Sequence, residues 1–376
     1  MTAQPLVVLA AGGTGGHVFP AEALAKELAQ RGCRLAMITD QRGGTLRGAP
    51  ENLIVHRVMA SGMAGKSFAA RLRSAPELAF GTLQARRILK RLMPDVVVGF
   101  GGYASVPSML AAGLAGMRTV IHEQNAVIGR ANRLLAPRAA LIATSFATCH
   151  GLTPDMVERC IHTGMPVRPE FLAARQTPYR LFGEQGSVNL MVLGGSQGAR
   201  VLSDIVPAAI GLLPLAWRRR LRLVQQCRPE DLDAVRATYA AMGVEADLAA
   251  FFDDVPRRMA EAHLAICRSG ASTVAELTAI GRPAIFIPYP YAIDDHQTAN
   301  AQAADEAGAG WLMPQDSLTA PSLAQRLESL FILSATLEKA AACAHAVGTA
   351  EGATRLADAV LALLPNGDCK DRRNAA

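Results

Sequence analysis

The sequence contains no apolar run that could cross a membrane, and it is poor in aromatic residues. Its longest apolar run, from Val206 to Trp217, covers 12 residues and contains two prolines, whereas a spanning helix needs about 18 or more. Aromatic residues make up 5% of the chain, which argues against a carbohydrate- or nucleic-acid-binding surface built from stacked rings. No basic stretch precedes the first apolar run, so we expect no signal peptide.

The sequence also lacks the patterns of disulfide-rich or metal-binding proteins. Its seven cysteines form no CxxC pair, which is typical of reduced thiols rather than of a disulfide framework or a zinc site. Asp294, Asp295 and His296 are adjacent, but their spacing matches no zinc or EF-hand pattern. Because Asp often caps the start of a helix, an N-cap role for Asp294 or Asp295 is the better explanation. We therefore expect no metal site.

The composition indicates a folded α/β protein. Half of the 376 residues are hydrophobic and 19% are charged, which supplies a large core and excludes a mainly disordered chain. Short apolar runs alternate with helical patterns, and this alternation predicts parallel sheets covered by helices on both faces. The predicted strands are Leu6–Ala10, Arg34–Thr39, Asp95–Phe100, Arg118–His122, Leu141–Thr144, Asn189–Leu193, Leu221–Gln226, Leu248–Phe252, Leu264–Cys267 and Ala284–Pro288.

The strand–helix pattern begins twice. LVVLAAGGTGGH from Leu6 and LMVLGGSQGAR from Leu190 are alike and lie about 180 residues apart. We therefore predict two Rossmann-like domains, joined near Met165–Arg175 and facing each other across a cleft, with ligands at the carboxyl ends of the strands. The predicted divisions are a first domain at 1–168, a second at 169–345, a C-terminal helix at 346–364 that packs back on the first domain, and a flexible tail at 365–376.

The excess positive charge is concentrated in one segment. The formal net charge is +6, and the segment Arg57–Met93 holds eight basic residues and one acid, so it carries +7 and the rest of the chain carries −1. This segment predicts either ordinary surface helices or a face that binds anionic lipid headgroups while apolar side chains insert. Nucleic acid is a weaker alternative, because no binding motif accompanies the charge. The residues assigned to this membrane face are Lys66, Phe68, Arg71, Leu72, Arg73, Leu78, Phe80, Leu83, Arg86 and Arg87.

Glycine-rich turns follow the first strand of each predicted domain. Such a turn at the start of a helix offers backbone N–H groups to a phosphate. GGTGGH matches neither GxGxxG, since Val18 occupies the third glycine position, nor the Walker pattern. Asp40 ends the second predicted strand, as an NAD-binding acid would, so a dehydrogenase remains an alternative. Strand–helix packing explains any single turn, but several at carboxyl edges favour a ligand that bears a diphosphate.

Several polar side chains beside these turns are candidates for chemistry or for structure alone. A histidine's ordinary pKa near 6.5 makes His17, at the start of the first helix, a candidate general base, with a structural histidine as the alternative. Thr273 and Glu276 match a capping box, which would explain Glu276 without a ligand. Otherwise the Glu276 carboxylate would accept hydrogen bonds from ribose hydroxyls. Gln297 and Asn300 are three residues apart and share a helix face, so they could bind a sugar.

Taken together, the motifs carry a family resemblance. In chain order they read GGTGGHVFPA, GFGGYASVP, HEQNAVIGRAN, TGMPVR, GGSQGAR, FFDDV, CRSGASTVAEL and DDHQTANA. This series, from about Leu6 to Gly308, resembles the MurG family of glycosyltransferases, which add N-acetylglucosamine to lipid I in bacterial peptidoglycan synthesis. The family usually has TGNPVR. Here Met165 replaces the asparagine and Arg168 is retained, so the departure puts only a local contact in doubt.

The resemblance implies a two-domain, B-type glycosyltransferase fold. Its C-terminal domain would bind UDP-N-acetylglucosamine and its N-terminal domain the lipid acceptor. The residues that it places at the donor are Thr14, Gly15, Gly16, Asn125, Arg168, Ser196 near the diphosphate, Phe252 with its backbone at the uracil, Ala271, Ser272, Thr273, Val274, Ala275, Glu276 and Gln297. Those on the acceptor side are Tyr103, His122 and Glu123, and further sugar contacts are His296 and Asn300.

The reaction that the resemblance implies is an inverting transfer. O4 of N-acetylmuramic acid attacks the anomeric carbon of the donor, UDP leaves, and a β-1,4 linkage forms. Glu276 would bind the ribose, Gln297 the sugar hydroxyls, and His17 would take the proton. Helix N-termini and Arg168 would stabilise the leaving diphosphate without a metal or another cofactor.

The resemblance also implies partners and a location. The partners are UDP-N-acetylglucosamine, lipid I, anionic lipids and a cell-wall synthesis complex, and the location is peripheral, on the cytoplasmic face of the bacterial inner membrane. Two alternatives stay open. One is another nucleotide-sugar enzyme on the same fold, such as a UDP-N-acetylglucosamine 2-epimerase or a transferase with a soluble acceptor; the basic, apolar segment argues for a lipid acceptor instead. The other is a non-catalytic nucleotide-binding protein, which the combined presence of His17, Arg168, Glu276 and Gln297 disfavours.

Overall fold

Two parallel sheets with their helices make up the protein. The computed structural model describes residues 4–13, 15–41, 50, 53–60, 68–195 and 198–364, and within 68–75 it describes the backbone alone. The strands are β1 Leu6–Ala10, β2 Arg34–Thr39, β3 Ile54–Arg57, β4 Val96–Gly99, β5 Thr119–Glu123, β6 Leu141–Thr144, β7 Cys160–His162, β8 Val188–Leu193, β9 Leu221–Gln226, β10 Glu245–Ala249, β11 Leu264–Cys267, β12 Ala284–Phe286 and β13 Gly310–Leu312.

Helices connect and cover these strands. They are α1 Gly15–Gln30, α2 Phe68–Leu92, α3 Gly102–Leu114, α4 Arg130–Leu135, α5 Pro154–Val157, α6 Pro169–Ala174, α7 Arg200–Leu212, α8 Leu215–Arg218, α9 Leu232–Ala241, α10 Val255–Glu261, α11 Ala271–Ile280, α12 His296–Glu306, α13 Ala320–Ile332, α14 Ser334–Val347 and α15 Gly352–Leu361. The chain divides into two compact units, Met1–Arg168 with Ala350–Ala376, and Pro169–Thr349.

Both sheets have the strand order of a Rossmann fold. The first runs β3-β2-β1-β4-β5-β6-β7 and the second β10-β9-β8-β11-β12-β13, and the strand pairs of the described residues are parallel. The strand order changes direction between β1 and β4 in the first sheet and between β8 and β11 in the second. Ligands of such sheets bind at these switch points, beyond the carboxyl ends of the strands. The prediction of two Rossmann-like domains is confirmed.

The last described helix, α15, packs against the core of the first unit. In α15, Leu356 and Val360 are fully buried and join Leu24 and Leu28 of α1 in one apolar cluster with β1 and β4. Full burial of such a side chain contributes about 1.5–3 kcal/mol. An ion pair between Arg31 and Asp358, at 2.6 Å, lies at the surface, where such pairs contribute about 1 kcal/mol or less. Apolar burial is therefore the main attachment of α15.

The second unit has its own core. Strands β8, β9 and β11 pack against α7 and α13 through buried aliphatic residues, and the same cluster contains the aromatic residues Phe182, Tyr239 and Phe331. The ring of Phe182 contacts those of Trp217 and Phe331 edge-on, with ring centroids 6.3 and 6.1 Å apart. The hydroxyl of buried Tyr239 donates to Gln225 at 2.6 Å, so this polar group is satisfied inside the core.

The predicted strands agree with the observed ones at most positions and differ in instructive places. β10 lies at 245–249 rather than 248–252, because the apolar pair Phe251 and Phe252 lies in the loop after the strand. Strands β3, β7 and β13 were not predicted. They are three or four residues long and partly exposed, so they lack the continuous apolar run of a buried parallel strand.

Candidate active site

The glycine turn after β1 is held by Asp40. A Cβ on Gly12 would lie 2.8 Å from Asp40 Oδ1, 2.8 Å from Thr39 Oγ1 and 2.7 Å from the Ala104 side chain. The backbone N–H of Gly13 donates to Asp40 Oδ1 at 3.3 Å. Asp40 is 3% exposed. Its carboxylate therefore fixes the turn, which explains this acid without an NAD ribose.

His17 is packed against a glycine of the neighbouring helix start. It lies in the first turn of α1, which follows β1, and Gly102 begins α3, which follows β4. A Cβ on Gly102 would lie 2.9 Å from His17 Cδ2 and 3.1 Å from Nε2. The two helix starts thus meet at the switch point of the first sheet, beside the half-buried Tyr103. Thr14 lies outside the described residues.

Arg168 is brought to the same helix start. Its guanidinium lies over the ring of Phe19, 4.4 Å from the centroid, a favourable cation–π geometry. The Phe19 ring in turn packs on Gly15, where a Cβ would be 2.7 Å from Cε2. The first turn of α1 therefore gathers an imidazole, a guanidinium and the positive end of a helix dipole, a combination suited to anionic oxygens.

His122, at the end of β5, is buried and neutral. Its Nδ1 accepts from the Gln124 amide at 3.2 Å and its Nε2 donates to the Gly164 carbonyl at 3.3 Å. Burial, reinforced by nearby His17, lowers the pKa of His122 to about 4, although the bond to Gly164 opposes this. A base with such a low pKa is weak at neutral pH. Of the two histidines, His17 is therefore the better candidate for proton transfer.

Glu123 organises the loop that follows β5. Its Oε1 accepts from the backbone N–H of Asn125 at 2.9 Å and from the Asn125 amide at 3.2 Å. Its Oε2 accepts from the N–H of Gly129 at 2.9 Å and from the Asn132 amide at 2.8 Å. The carboxylate is 1% exposed. Four donors therefore occupy Glu123, and the loop fixes the position of Asn125.

The residue that departs from the family motif, Met165, is buried beside His122. Ser145 Oγ lies 3.6 Å from Met165 Sδ and 3.4 Å from His122 Nε2. A Cβ on Gly352 of α15 would overlap the Met165 carbonyl. The methionine thus fills space beside Ser145 and His122 and contributes no strong hydrogen-bonding group there.

In the second unit, a helix N-terminus without a side-chain cap follows β11. Helix α11 begins at Ala271, its N-cap is Gly270, and no side-chain cap bond is present. Thr273 is therefore the third helical residue and Glu276 lies in the second turn, so the capping-box interpretation is wrong. Glu276 is half-buried. The backbone N–H groups of Ala271, Ser272 and Thr273 precede the first intrahelical bond, as at any helix start.

Gln297 is tied to the strand ends on both sides. Its Oε1 accepts from the backbone N–H of Tyr289 at 3.0 Å, and its carbonyl accepts from Ser269 Oγ at 2.8 Å. The bond from Tyr289 orients the Gln297 side-chain amide so that its NH₂ group points away from the Tyr289 N–H. Asn300 is fully buried and its amide donates to the Ser269 carbonyl at 3.1 Å. His296 donates through Nδ1 to Ile293 at 2.7 Å.

The sequence did not predict two structural features near the ends of β11 and β12. Arg268 donates to the carbonyls of Ile287 at 3.1 Å and Pro288 at 2.8 Å, so it binds the end of β11 to that of β12. Asp294 and Asp295 both adopt positive φ, 53° and 50°, which residues other than glycine rarely do. Asp295 occupies the N-cap position of α12 but accepts from Thr298 Oγ1 rather than from a helix N–H.

Two further regions that the resemblance assigns to the donor follow strands of the second sheet. Phe252 follows β10 and is 7% exposed, with the Arg258 guanidinium 4.4 Å from its ring centroid. Gly195 and Gly198, in the turn after β8, have φ of 81° and 70°, values that glycine adopts without strain. Ser196 lies outside the described residues.

The basic segment contains helix α2. On it, Phe80 and Leu83 are 49% and 54% exposed, and Arg86 and Arg87 are exposed beside them, whereas Leu78 is partly buried. Spacings of three and seven residues place Phe80, Leu83 and Arg87 on one side of the helix. Lys66 lies outside the described residues, as do the side chains of Phe68, Arg71, Leu72 and Arg73.

The described residues contain neither a metal-binding cluster nor a single membrane-spanning helix. Within the described part of the chain, no three His, Cys, Asp or Glu side chains are grouped so that they could hold a metal ion. No single helix among the described residues is long and apolar enough to cross a membrane. Segments 320–332 and 334–361 have the length and apolar composition of a span only when they are taken together, and the chain bends by 91° between them.

Comparisons with known proteins identify the family. Residues 7–144 match the glycosyltransferase family 28 N-terminal domain, and residues 189–358 match the family 28 C-terminal domain. The chain belongs to glycosyltransferase family 28. The resemblance to the MurG family is confirmed by curated relatives named UDP-N-acetylglucosamine–N-acetylmuramyl-(pentapeptide) pyrophosphoryl-undecaprenol N-acetylglucosamine transferase. One, from Paramagnetospirillum magneticum, is 57% identical over 97% of this chain and 98% of its own. Another, from Rhodospirillum rubrum, is 56% identical over 95% of this chain and 91% of its own.

A solved structure agrees with this assignment. The crystal structure of MurG from Acinetobacter baumannii superposes with a TM-score of 0.77 at 30% identity, over 95% of this chain and 99% of that one. The family 28 enzyme therefore consists of the two Rossmann-like units described above, and the dehydrogenase alternative is excluded.

Proposed function

We propose that this glycosyltransferase moves N-acetylglucosamine from UDP-N-acetylglucosamine to O4 of N-acetylmuramic acid in lipid I, giving lipid II. The observation that carries the proposal is the 57% identity, over 97% of the chain, to a relative that bears the name of this activity. The geometry agrees with it, since each unit presents polar groups at the carboxyl ends of its strands, where a nucleotide-sugar transferase needs them.

The second unit binds the donor. The start of α11 offers its backbone N–H groups to the diphosphate, and the carboxylate of Glu276 accepts from the ribose hydroxyls. The Gln297 amide, already oriented by Tyr289, donates to a sugar hydroxyl. Asn300 is fully buried and donates to the Ser269 carbonyl, so it stabilises the turn that precedes α11. We assign it a positioning role within the donor site.

The first unit supplies the proton acceptor. As O4 of the acceptor forms its bond to the anomeric carbon, the O4 proton passes to the imidazole of His17. The bond from the anomeric carbon to the diphosphate oxygen breaks, and its electron pair leaves with UDP. Negative charge therefore grows on the diphosphate, where a guanidinium and helix dipoles stabilise it most. Arg168, stacked on Phe19, is the guanidinium that we assign to this role.

The acceptor's prenyl chain makes membrane contact part of the proposal. The exposed side of α2 combines Phe80 and Leu83 with Arg86 and Arg87. Each cation near an anionic surface contributes about 1 kcal/mol, and the apolar side chains can enter the interface. We therefore propose that the enzyme binds peripherally, through α2, to an anionic leaflet. We assign this leaflet to the cytoplasmic face of the bacterial inner membrane.

The experiment that tests the function is turnover with a panel of acceptors. Purified enzyme would receive radiolabelled UDP-N-acetylglucosamine with lipid I, with soluble N-acetylmuramic acid derivatives, or with no acceptor. We expect label in the lipid fraction and UDP release only with lipid I. Transfer to soluble sugars alone would make this a soluble-acceptor transferase. Conversion of the donor sugar without an acceptor would make it an epimerase, and either result would overturn the proposal.

A further inference from the structure

We infer that Gly102 is a positioning residue for the proton acceptor: the absence of a side chain at this position creates the space in which the His17 ring is held. This inference rests on the proposed function, because it assigns a role in the same transfer. It concerns a residue that contributes no reactive group of its own.

The contact is direct. A Cβ on Gly102 would lie 2.9 Å from Cδ2 and 3.1 Å from Nε2 of His17, whereas carbon atoms pack at about 3.5–4.0 Å. An alanine would therefore displace the ring by roughly half an ångström or more. The affected edge of the ring carries Nε2, one of the two nitrogens that could take the O4 proton.

The backbone at Gly102 cannot easily yield instead. Its φ is +67° and that of Gly101 is +71°, so two successive glycines make the turn from β4 into α3. The Gly102 carbonyl accepts from Ser105 Oγ at 3.1 Å. On the far side, a Cβ on Gly101 would lie 3.2 Å from the Asn132 amide, which is bonded to Glu123. The turn is thus packed closely against the Asn132 side chain, so we expect the His17 ring to move when a side chain is added at Gly102.

Gly116 provides a matched control for backbone strain. Its φ is also +67°, and a Cβ there would meet nothing within 4 Å. Gly116→Ala therefore also places an alanine at a positive φ, where residues other than glycine are rarely found, but only Gly102→Ala presses on His17. Gly116 is exposed, lies two residues beyond the end of α3 and has no place in the machinery described above.

The test is a double-mutant cycle of Gly102→Ala and His17→Ala, with Gly116→Ala beside it. Displacing a catalytic group by a fraction of an ångström to 1 Å costs about 10- to 100-fold in rate, so we expect Gly102→Ala to lower kcat by that factor with the donor KM unchanged. Gly116→Ala should retain wild-type kcat. In the His17→Ala background, Gly102→Ala should lower kcat by no more than about 2-fold, because the displaced group is gone.

Thermal unfolding of the same variants gives a readout without activity. Removing the imidazole leaves room for the new methyl group, so Gly102→Ala should lower the melting temperature less in the His17→Ala background than in the wild type. This cycle remains informative if the single variant folds poorly. Additive losses of kcat and of melting temperature would overturn the inference. A wild-type enzyme without transfer to lipid I would instead overturn the proposed function, while the stability cycle would still report on the contact.

Discussion

The buried imidazole of His122 should make the first unit lose stability in mild acid. Its pKa is about 4 in the folded protein and 6.5 in the absence of burial. Between these values the unfolded chain binds the proton and the folded chain does not, so stability falls as the pH drops from 6.5 towards 4. For one such group, the loss between neutral pH and pH 5 is about 2 kcal/mol. His122→Gln should remove this part of the pH dependence.

The assay is urea unfolding of wild type and His122→Gln at neutral pH and near pH 5. Both tryptophans, Trp217 and Trp311, lie in the second unit, so their fluorescence follows that unit, whereas circular dichroism follows both. The wild type should lose about 2 kcal/mol more than the variant in the transition that fluorescence does not see. His150→Gln, at an exposed position, is the control and should behave as wild type. Equal acid sensitivity of wild type and His122→Gln would refute the assignment of a buried neutral imidazole.

Three further predictions concern the donor site and the membrane face. Glu276→Ala should raise the donor KM with little change in melting temperature, and Glu276→Gln should recover only part of the affinity; a purely thermal effect in either would return Glu276 to a structural role. Gln297→Glu can still accept from the Tyr289 N–H but cannot donate to the sugar, so it should lower kcat/KM as much as Gln297→Ala does, and near-normal kinetics would contradict the assigned orientation. Charge reversal of Arg86 and Arg87 to Glu should weaken salt-sensitive sedimentation with anionic vesicles and slow turnover of membrane-embedded lipid I, while a short-chain, water-soluble acceptor reacts normally; equal loss on both acceptors would leave α2 an ordinary surface.

The sequence predicts the buried strands well, because full burial in a parallel sheet demands an uninterrupted apolar run. LVVLA at β1 and DVVVGF around β4 are such runs, and the glycines after them mark the turns. Short edge strands such as β3 carry no such run, so the sequence pattern does not predict them. The switch points follow from strand order, which an alternating pattern alone does not fix.

The roles of individual polar residues were harder to predict. A carboxylate at a strand end looks the same in the sequence whether it binds a ligand, as we propose for Glu276, or holds a turn, as Asp40 does. Only the helix start at Ala271 shows that Glu276 is not part of a capping box. Likewise, Gln297 and Asn300 share a helix in the sequence pattern, but the burial of Asn300 depends on how α12 packs against Ser269.

The transfer of N-acetylglucosamine to O4 of the lipid-linked N-acetylmuramic acid is the central claim, and the structure of the product tests it most directly. Lipid I and UDP-N-acetylglucosamine would be incubated with the enzyme, and the isolated lipid product would be examined by proton and carbon NMR. We predict one added N-acetylhexosamine with a large H1–H2 coupling, the mark of a β linkage, and a correlation from its anomeric proton to C4 of N-acetylmuramic acid. An α linkage, a bond to another hydroxyl, or an unmodified lipid I would contradict the claim.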